Sequence, residues 1–418
     1  MNNSSYIENK IKFINVLFIL LFFFNDCLVF AVPDNDTTQI RKIHNYSIPA
    51  INLLSTHPLG LFISRIDNSF QTRPVDHTFF NLNIASGNVW LPYVIAYRPV
   101  DEEVRKLMEG FVWHDRWNHF DLSQMPSDSV QLEVDAIIKV IRTNIKFRLA
   151  ENHELGFDIR SFLITRGQFP FSIVSSDELI EYFHTKIKGG EDPFARKYYG
   201  FNKAGFRYTD VNGKTIDLKG GDFLIPGIET HYYYYPDLSS EHNLFLNFGA
   251  HLGINISRFN PSCDFGLSSS LMKSIIFSDT RSIQFGIGMN ALRQNLFTFR
   301  NAVEMSNRNY MFTGSGMIEY KIQLKDHSIL SAGINYSVQS QYMNNRENEY
   351  QVLIGNRIST HWHYAISHLY RPLEAWNLIL RYSKKYSLSV YLKEDLNVNN
   401  APDIQTGLDL QIPVFSPR

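Results

Sequence analysis

A chain of 418 residues with 40 basic and 41 acidic side chains has a formal net charge of −1, which argues against a nucleic-acid or other polyanion binder. Phe and Tyr are abundant, at 32 and 22, whereas Cys occurs twice, so aromatic membrane girdles are open to this chain and a disulfide framework is not. The length would ordinarily suggest two domains. Strands of about ten residues joined by long loops would instead consume the chain without building a globular core.

Lys10 and Lys12 precede an apolar run from Val16 to Phe24, and Val29-Phe30-Ala31 offers a cleavage site, so residues 1–31 are expected to be a secretory signal. The run is too short to span a bilayer, which takes about 20 apolar residues. Lipidation at Cys27 is disfavoured, because Phe24-Asn25-Asp26 lacks the small residue that such processing needs. No later run of 18 apolar residues exists, so any membrane-spanning part must be a closed barrel. Residues 32–69 read as a polar, irregular lead-in, and 70–418 as the barrel.

The first strand is expected from Thr78 to Trp90, with Phe80, Leu82 and Ile84 opposing Asn81 and Asn83. Arg98 to Asp128 forms an insert whose acidic Asp101, Glu102 and Glu103 favour a helix start, with Val104, Leu107, Met108 and Phe111 on one side. It could cap a barrel end. Val130 to Leu149 supplies a long strand or two, and Ile145, Phe147 and Leu149 face Leu155, Phe157 and Ile159 across a hairpin turn at Ala150 to His153. A second insert, Gly167 to Gly220, carries a helix with a capping box at Ser175 and Glu178 and an apolar stripe of Leu179, Tyr182, Phe183 and Ile187, closed by Gly189. This stripe is expected to pack on the rim or into the lumen.

The clearest signal lies in Leu244 to Ile256. Every even position is apolar, while the odd positions after Phe245 carry Asn247, Gly249, His251, Gly253 and Asn255. A period of two marks a strand, and a polar, glycine-bearing face does not suit a dry core. The pattern returns with Gln284, Gly286, Gly288 and Asn290, and again with Ser331, Gly333, Asn335, Ser337 and Gln339. Further strands are expected at Phe223–Tyr235, Cys263–Leu271, Phe312–Ile322, Tyr350–Ile358, Tyr364–Leu369, Ala375–Tyr382, Leu388–Leu392 and Ile404–Ile412. The fold class that follows is all-β, an antiparallel transmembrane β-barrel of about 12 to 14 strands with two helix-containing inserts. Asn247, His251, Asn255, Gln284, Asn290, Asn335 and Gln339 are the candidate lumen-lining residues.

The chain resembles an uncharacterised family of Gram-negative outer-membrane barrels, a domain of unknown function, over about Leu53 to Val414. The resemblance is carried by His57-Pro58-Leu59, Glu154-Leu155-Gly156, Ile180-Glu181-Tyr182-Phe183-His184, Gly220-Gly221-Asp222, Glu394-Asp395-Leu396 and Asn400-Ala401-Pro402-Asp403, in that order. It implies an outer-membrane barrel and supplies no catalytic residues. Gln405-Thr406-Gly407-Leu408-Asp409-Leu410-Gln411-Ile412 is similar to the final-strand signal read by barrel-assembly machinery. An ordinary sandwich strand would show the same alternation.

Candidate reactive clusters are unspecific. Trp113 to His119 could offer His114, Asp115 and His119 to a metal, but a structural cap with aromatic anchors is the favoured reading. His361 and His363 share a strand face, His231 precedes the aromatic run Tyr232 to Tyr235, and His327-Ser328 and Ser367-His368 bring together the residue types of a barrel hydrolase, although two such dipeptides are expected by chance among 14 histidines. Phosphate loops and CxxC pairs are absent, so neither a cofactor nor a metal is expected. The leading expectation is a pore or small-solute-binding channel, with no catalytic residues assigned. Its expected partners are outer-membrane lipid, the assembly machinery and small polar solutes, without nucleic acid. A lipid-modifying barrel enzyme, a plugged structural or host-facing barrel and a secreted β-sandwich stand as alternatives.

Overall fold

A computed structural model describes residues 57–111, 115–121, 124–167, 175–187, 200–237, 243–300, 302–343, 372–394 and 404–415. The strands are β1 (Thr78–Pro99), β2 (Ser127–Ala150), β3 (His153–Thr165), β4 (Gly205–Thr209), β5 (Thr215–Lys219), β6 (Phe223–Tyr234), β7 (Leu244–Asn255), β8 (Ser262–Ser278), β9 (Arg281–Thr298), β10 (Tyr310–Gln323), β11 (Ile329–Gln339), β12 (Leu373–Ser383), β13 (Ser387–Glu394) and β14 (Ile404–Phe415). Twelve of them form a closed antiparallel barrel. Closure is made by β1, which pairs with β14 from Thr78↔Phe415 to Gly87↔Gln405 and with β2 from Phe79↔Lys146 to Pro99↔Ser127.

The barrel therefore closes on 12 strands, at the lower end of the sequence expectation. β4 and β5 stand outside the circuit. β3 leaves the edge of β2 at Ile137↔Thr165, and β4 takes over that edge from Asp135↔Gly205 to Gln131↔Thr209. This hairpin was not separated from the second insert in the sequence. The strands expected at Tyr350–Ile358 and Tyr364–Leu369, like residues 1–31, lie outside the described residues.

Alternation sorts each strand into two faces. In β7, Asn247, Gly249, His251, Gly253 and Asn255 are buried, whereas Phe248 and Leu252 are 48% and 44% exposed. Ile84, Ile145, Phe157, Leu267, Ile318 and Leu380 continue the exposed apolar set around the wall. An outward apolar belt over a polar interior is the surface of a membrane-spanning barrel, since water would penalise the first and hydrocarbon the second. Among the described residues no helix is long and apolar enough to cross a membrane.

Connections at 151–152, 279–280, 324–328 and 384–386 gather at one end, where β1 begins and β14 finishes. The β1–β2, β3–β4 and β9–β10 connections and the β5–β6 turn leave from the other. The first insert holds α1 (Glu102–Glu109), capped by the Asp101 side chain on the Glu103 amide, and α2 (Arg116–His119). Met108 is its buried residue, while Leu107 of the expected apolar side is exposed. The second insert holds α3 (Asp177–Tyr182), continued by a π-helical turn (Phe183–Ile187). Ser176 rather than Ser175 caps α3, accepting from the Leu179 amide.

Phe248→Arg places a charge on the belt, and we expect a loss of roughly 2–4 kcal/mol in urea-dependent folding into phospholipid vesicles. Asn212→Arg, in the exposed β4–β5 turn, should change little. Equal effects would contradict the assignment of the β7 faces.

Candidate functional site: an occupied lumen

Residues 57–69, the end of the expected irregular lead-in, enter the barrel. His57 starts a 3-10 turn (Pro58–Phe62) by accepting the Leu59 amide at Nδ1, 3.1 Å away, and Pro58 suits a first-turn position that needs no donor. This turn sits at the long-loop end. There Phe62, fully buried, meets Phe162, Phe206 and Phe259 edge-on at centroid distances of 5.5, 5.8 and 5.6 Å. From Ser64 the chain runs along the lumen toward the short-turn end, where the Val75 amide donates to Glu154 at 2.9 Å.

The wall is shaped for this segment. A β-carbon at Gly253, Gly266, Gly288 or Gly286 would collide with Ser64, Ile66, Asn68 and Phe70 respectively. Alternate residues of an extended segment thus rest on glycines of three successive strands, β7, β8 and β9. The inward glycines of the period-two pattern are where another backbone approaches closely.

An extended segment without a strand partner must find hydrogen bonds elsewhere. The wall's side chains supply them. Asn260 donates to Phe62 O at 2.9 Å, Arg160 to Ile63 O at 2.6 Å, and Asn247 to Ser69 O at 2.8 Å. Asn290 donates to Ile66 O at 3.3 Å, while the Ser64 and Arg65 amides donate to Asp264 and Glu229 at 3.1 and 2.7 Å.

Charge pairs reinforce the upper half of the lumen. Arg142 meets Asp67 of the segment at 2.8 Å, Asp158 at 2.8 Å and Glu229 at 2.7 Å, and Arg160 meets Glu229 at 2.8 Å. His231 contacts Asp158. All five wall residues are buried, so each charge relies on its partners, and removing one would strand the others in a poorly solvated place.

The β4–β5 hairpin covers the mouth. Phe206, Tyr208, Ile216 and Leu218 face the apolar cluster around Phe62. The Tyr208 hydroxyl donates to Glu304 O at 2.8 Å, Lys214 Nζ to Ala302 O at 2.8 Å, and the Glu304 amide to Asp210 Oδ2 at 2.7 Å. The hairpin tip is thereby tied to the β9–β10 connection. Burial in this cluster pushes the Tyr342 phenol well above its ordinary pKa, so it stays neutral.

All seven candidate residues lie on the inner-facing parity of their strands, with different partners. Asn247, Asn255 and Asn290 touch the segment. His251 joins Ser268 at 2.8 Å, Gln284 joins Ser274 at 3.1 Å, and Asn335 joins Gly316 O and Asn377, both at 3.1 Å, so these tie wall to wall. Gln339, half-buried, ends β11. Sequence reasoning missed Arg142, Asp158, Arg160 and Glu229. A signal existed, since Arg142, Asn144 and Lys146 alternate with Ile141, Thr143 and Ile145 as in the other strands.

The reactive candidates separate. His231 points inward, whereas Tyr232 and Tyr234 are exposed on the opposite face from buried Tyr233. Ser328 donates to Asp326, its turn neighbour. His114, His361, His363 and the Ser367-His368 pair lie outside the described residues.

These features define a closed transmembrane β-barrel whose passage is occupied by residues 57–77 of its own chain. No protein-family model and no curated relative matches it. Solved structures similar to it include an outer membrane channel from Pseudomonas putida F1, at 10% identity and TM-score 0.37 over 82% of this chain and 97% of that one. The NanC porin is similar at 5% identity and TM-score 0.33, over 66% and 91% of the two chains. A Pseudomonas aeruginosa FadL homologue is similar at 9% identity and TM-score 0.30, over 92% and 100%. Nothing about cargo passes from these proteins to this chain.

Glu229→Ala takes a carboxylate from both Arg142 and Arg160, and we expect a loss of about 3–5 kcal/mol in urea unfolding from micelles. Asp217→Ala, which removes an exposed partner of Arg207, should cost less than about 1 kcal/mol. Similar small losses for both would contradict a network that holds the lumen together.

Proposed function

We propose that this protein is an outer-membrane channel for small polar solutes, closed at rest by residues 57–77. The observation that carries the reading is the way the segment is held. Side chains of a polar wall satisfy its backbone, so withdrawing it would turn the amides of Asn247, Asn255 and Asn290 and the paired charges of Arg142, Arg160 and Glu229 toward water or solute rather than leave an apolar void. A 12-strand barrel has room for a solute once its internal segment moves.

The address is supported by the basic and apolar amino-terminal run and by the belt, which needs a bilayer. In barrels of this type the short turns face the periplasm, which would put the β4–β5 hairpin outside the cell. The nearly equal counts of basic and acidic residues favour little preference between cations and anions. A second reading, a permanently plugged structural barrel, is favoured by the tie between the hairpin tip and residues 302–304.

Conductance separates the two. Reconstituted protein should be mostly closed with rare openings, and Asp67→Ala, which removes the segment's link to Arg142, should weaken the closed state by about 1–2 kcal/mol. Open probability should then rise about five- to thirty-fold. Silent bilayers from folded wild-type and variant alike would reject a gate and favour the plugged barrel.

A further inference from the structure

The second insert lies against the outside of the barrel, not in the lumen. Ser86 and Asn88 continue the outward row of Leu82 and Ile84 on β1, and both are buried. Ser175 Oγ bonds Ser86 Oγ at 2.7 Å, and Asn88 Nδ2 donates to Asp177 Oδ1 at 2.6 Å. On β2 the outward row changes in the same place, from Ile145, Thr143 and Ile141 to Lys139, whose Nζ donates to Ser86 Oγ. The change from apolar to polar marks the upper edge of the belt. Such an edge lies at headgroup level.

α3 and its π-helical continuation sit on this edge. Asp177, Ile180 and Glu181 are buried, while Leu179, Tyr182, Phe183 and Ile187 are 39%, 56%, 46% and 64% exposed. The stripe that would be expected to enter the lumen or pack on the rim therefore faces away from the protein. The exposed side chain of Ile84 lies two residues below Ser86 on β1, and those of Ile159, Ile145 and Phe157 follow on β3 and β2 toward the short-turn end, so the stripe extends the top of an apolar surface the bilayer already covers.

We propose that Asp177–Ile187 is an interfacial lipid anchor, with Leu179, Tyr182, Phe183 and Ile187 inserted among acyl chains at the headgroup boundary of the leaflet on the long-loop side. The inference rests on the barrel being embedded in a bilayer. Amphipathic helices bind that boundary by burying their apolar face roughly 5–10 Å deep. Here the polar contacts of Ser175 and Asp177 fix the segment to the wall, so the anchor covers a polar patch of β1 and β2 from lipid and joins the insert to the membrane.

The test uses bimane attached to Leu179→Cys, Tyr182→Cys and Ile187→Cys, one at a time in a Cys263→Ser background, in phosphatidylcholine vesicles containing lipids with a nitroxide near the headgroup or deep in the chain. Leu252→Cys on the belt and Asn212→Cys in the β4–β5 turn are the references. Strong loss of fluorescence at 179, 182 and 187, larger with the shallow than with the deep nitroxide, supports the anchor. Quenching no greater than at Asn212→Cys, with Leu252→Cys quenched, overturns it while leaving the barrel in the membrane. Absence of quenching at Leu252→Cys as well would remove the membrane reading on which it rests.

Discussion

A lipid bilayer offers the peptide group nothing to bond with, and everything else in this molecule follows from that constraint. A sheet in hydrocarbon has no tolerable edge, so β1 is paired on both sides, with β14 and with β2. Closure then fixes two environments for every strand. The exposed apolar side chains of β7 and the buried Asn247, His251 and Asn255 are two solutions to one requirement, separated by the pleat.

The same constraint governs the interior. From Ser64 the chain crosses the lumen in extended form, and it would carry unsatisfied amides and carbonyls if the wall were apolar. Instead the wall provides Asn247, Asn260, Asn290, Arg160, Asp264 and Glu229 as donors and acceptors, and glycines where the segment comes closest. Buried ion pairs gain little over apolar packing but cost much to break singly, so they specify one resting position without adding greatly to stability. An apolar clamp around Phe62 and the hairpin tie to residues 302–304 close the long-loop end.

Much of the wall was legible because a lipid-facing strand has few choices. Leu244–Ile256 was read within one residue of β7, and the turn between Leu149 and Leu155 falls where β2 gives way to β3. Legibility failed where one face is covered by other chain. β1 runs on to Pro99 beyond the expected Trp90: Ser86 to Val89 are buried on both faces, and Val89 to Ala96 is wholly apolar in sequence, so the polar-apolar alternation disappears there. The β4–β5 hairpin does alternate, with Phe206 and Tyr208 against Ile216 and Leu218, but five-residue strands inside a long insert give a weak signal. The lumenal segment alternates in what it touches, but its mixed polar and apolar side chains give no hydropathy period, since its conformation is imposed by the wall. Of the candidate site, parity alone places the amides on the face opposite the exposed apolar side chains. The charged network was missed because its residues sit on strands assigned only by their apolar side chains.

In the proposed gate, residues 57–77 fill the lumen at rest and leave it on opening. Asn68 Nδ2 lies 2.6 Å from Ser315 Oγ on β10, so Asn68→Cys with Ser315→Cys in a Cys263→Ser background can tie the segment to the wall. Single-channel conductance of this variant, measured oxidised and again after reduction in the same bilayer, is the most direct test. The account predicts silence when oxidised and openings when reduced. Equal conductance in both states would contradict it, because solute would then pass without the segment moving.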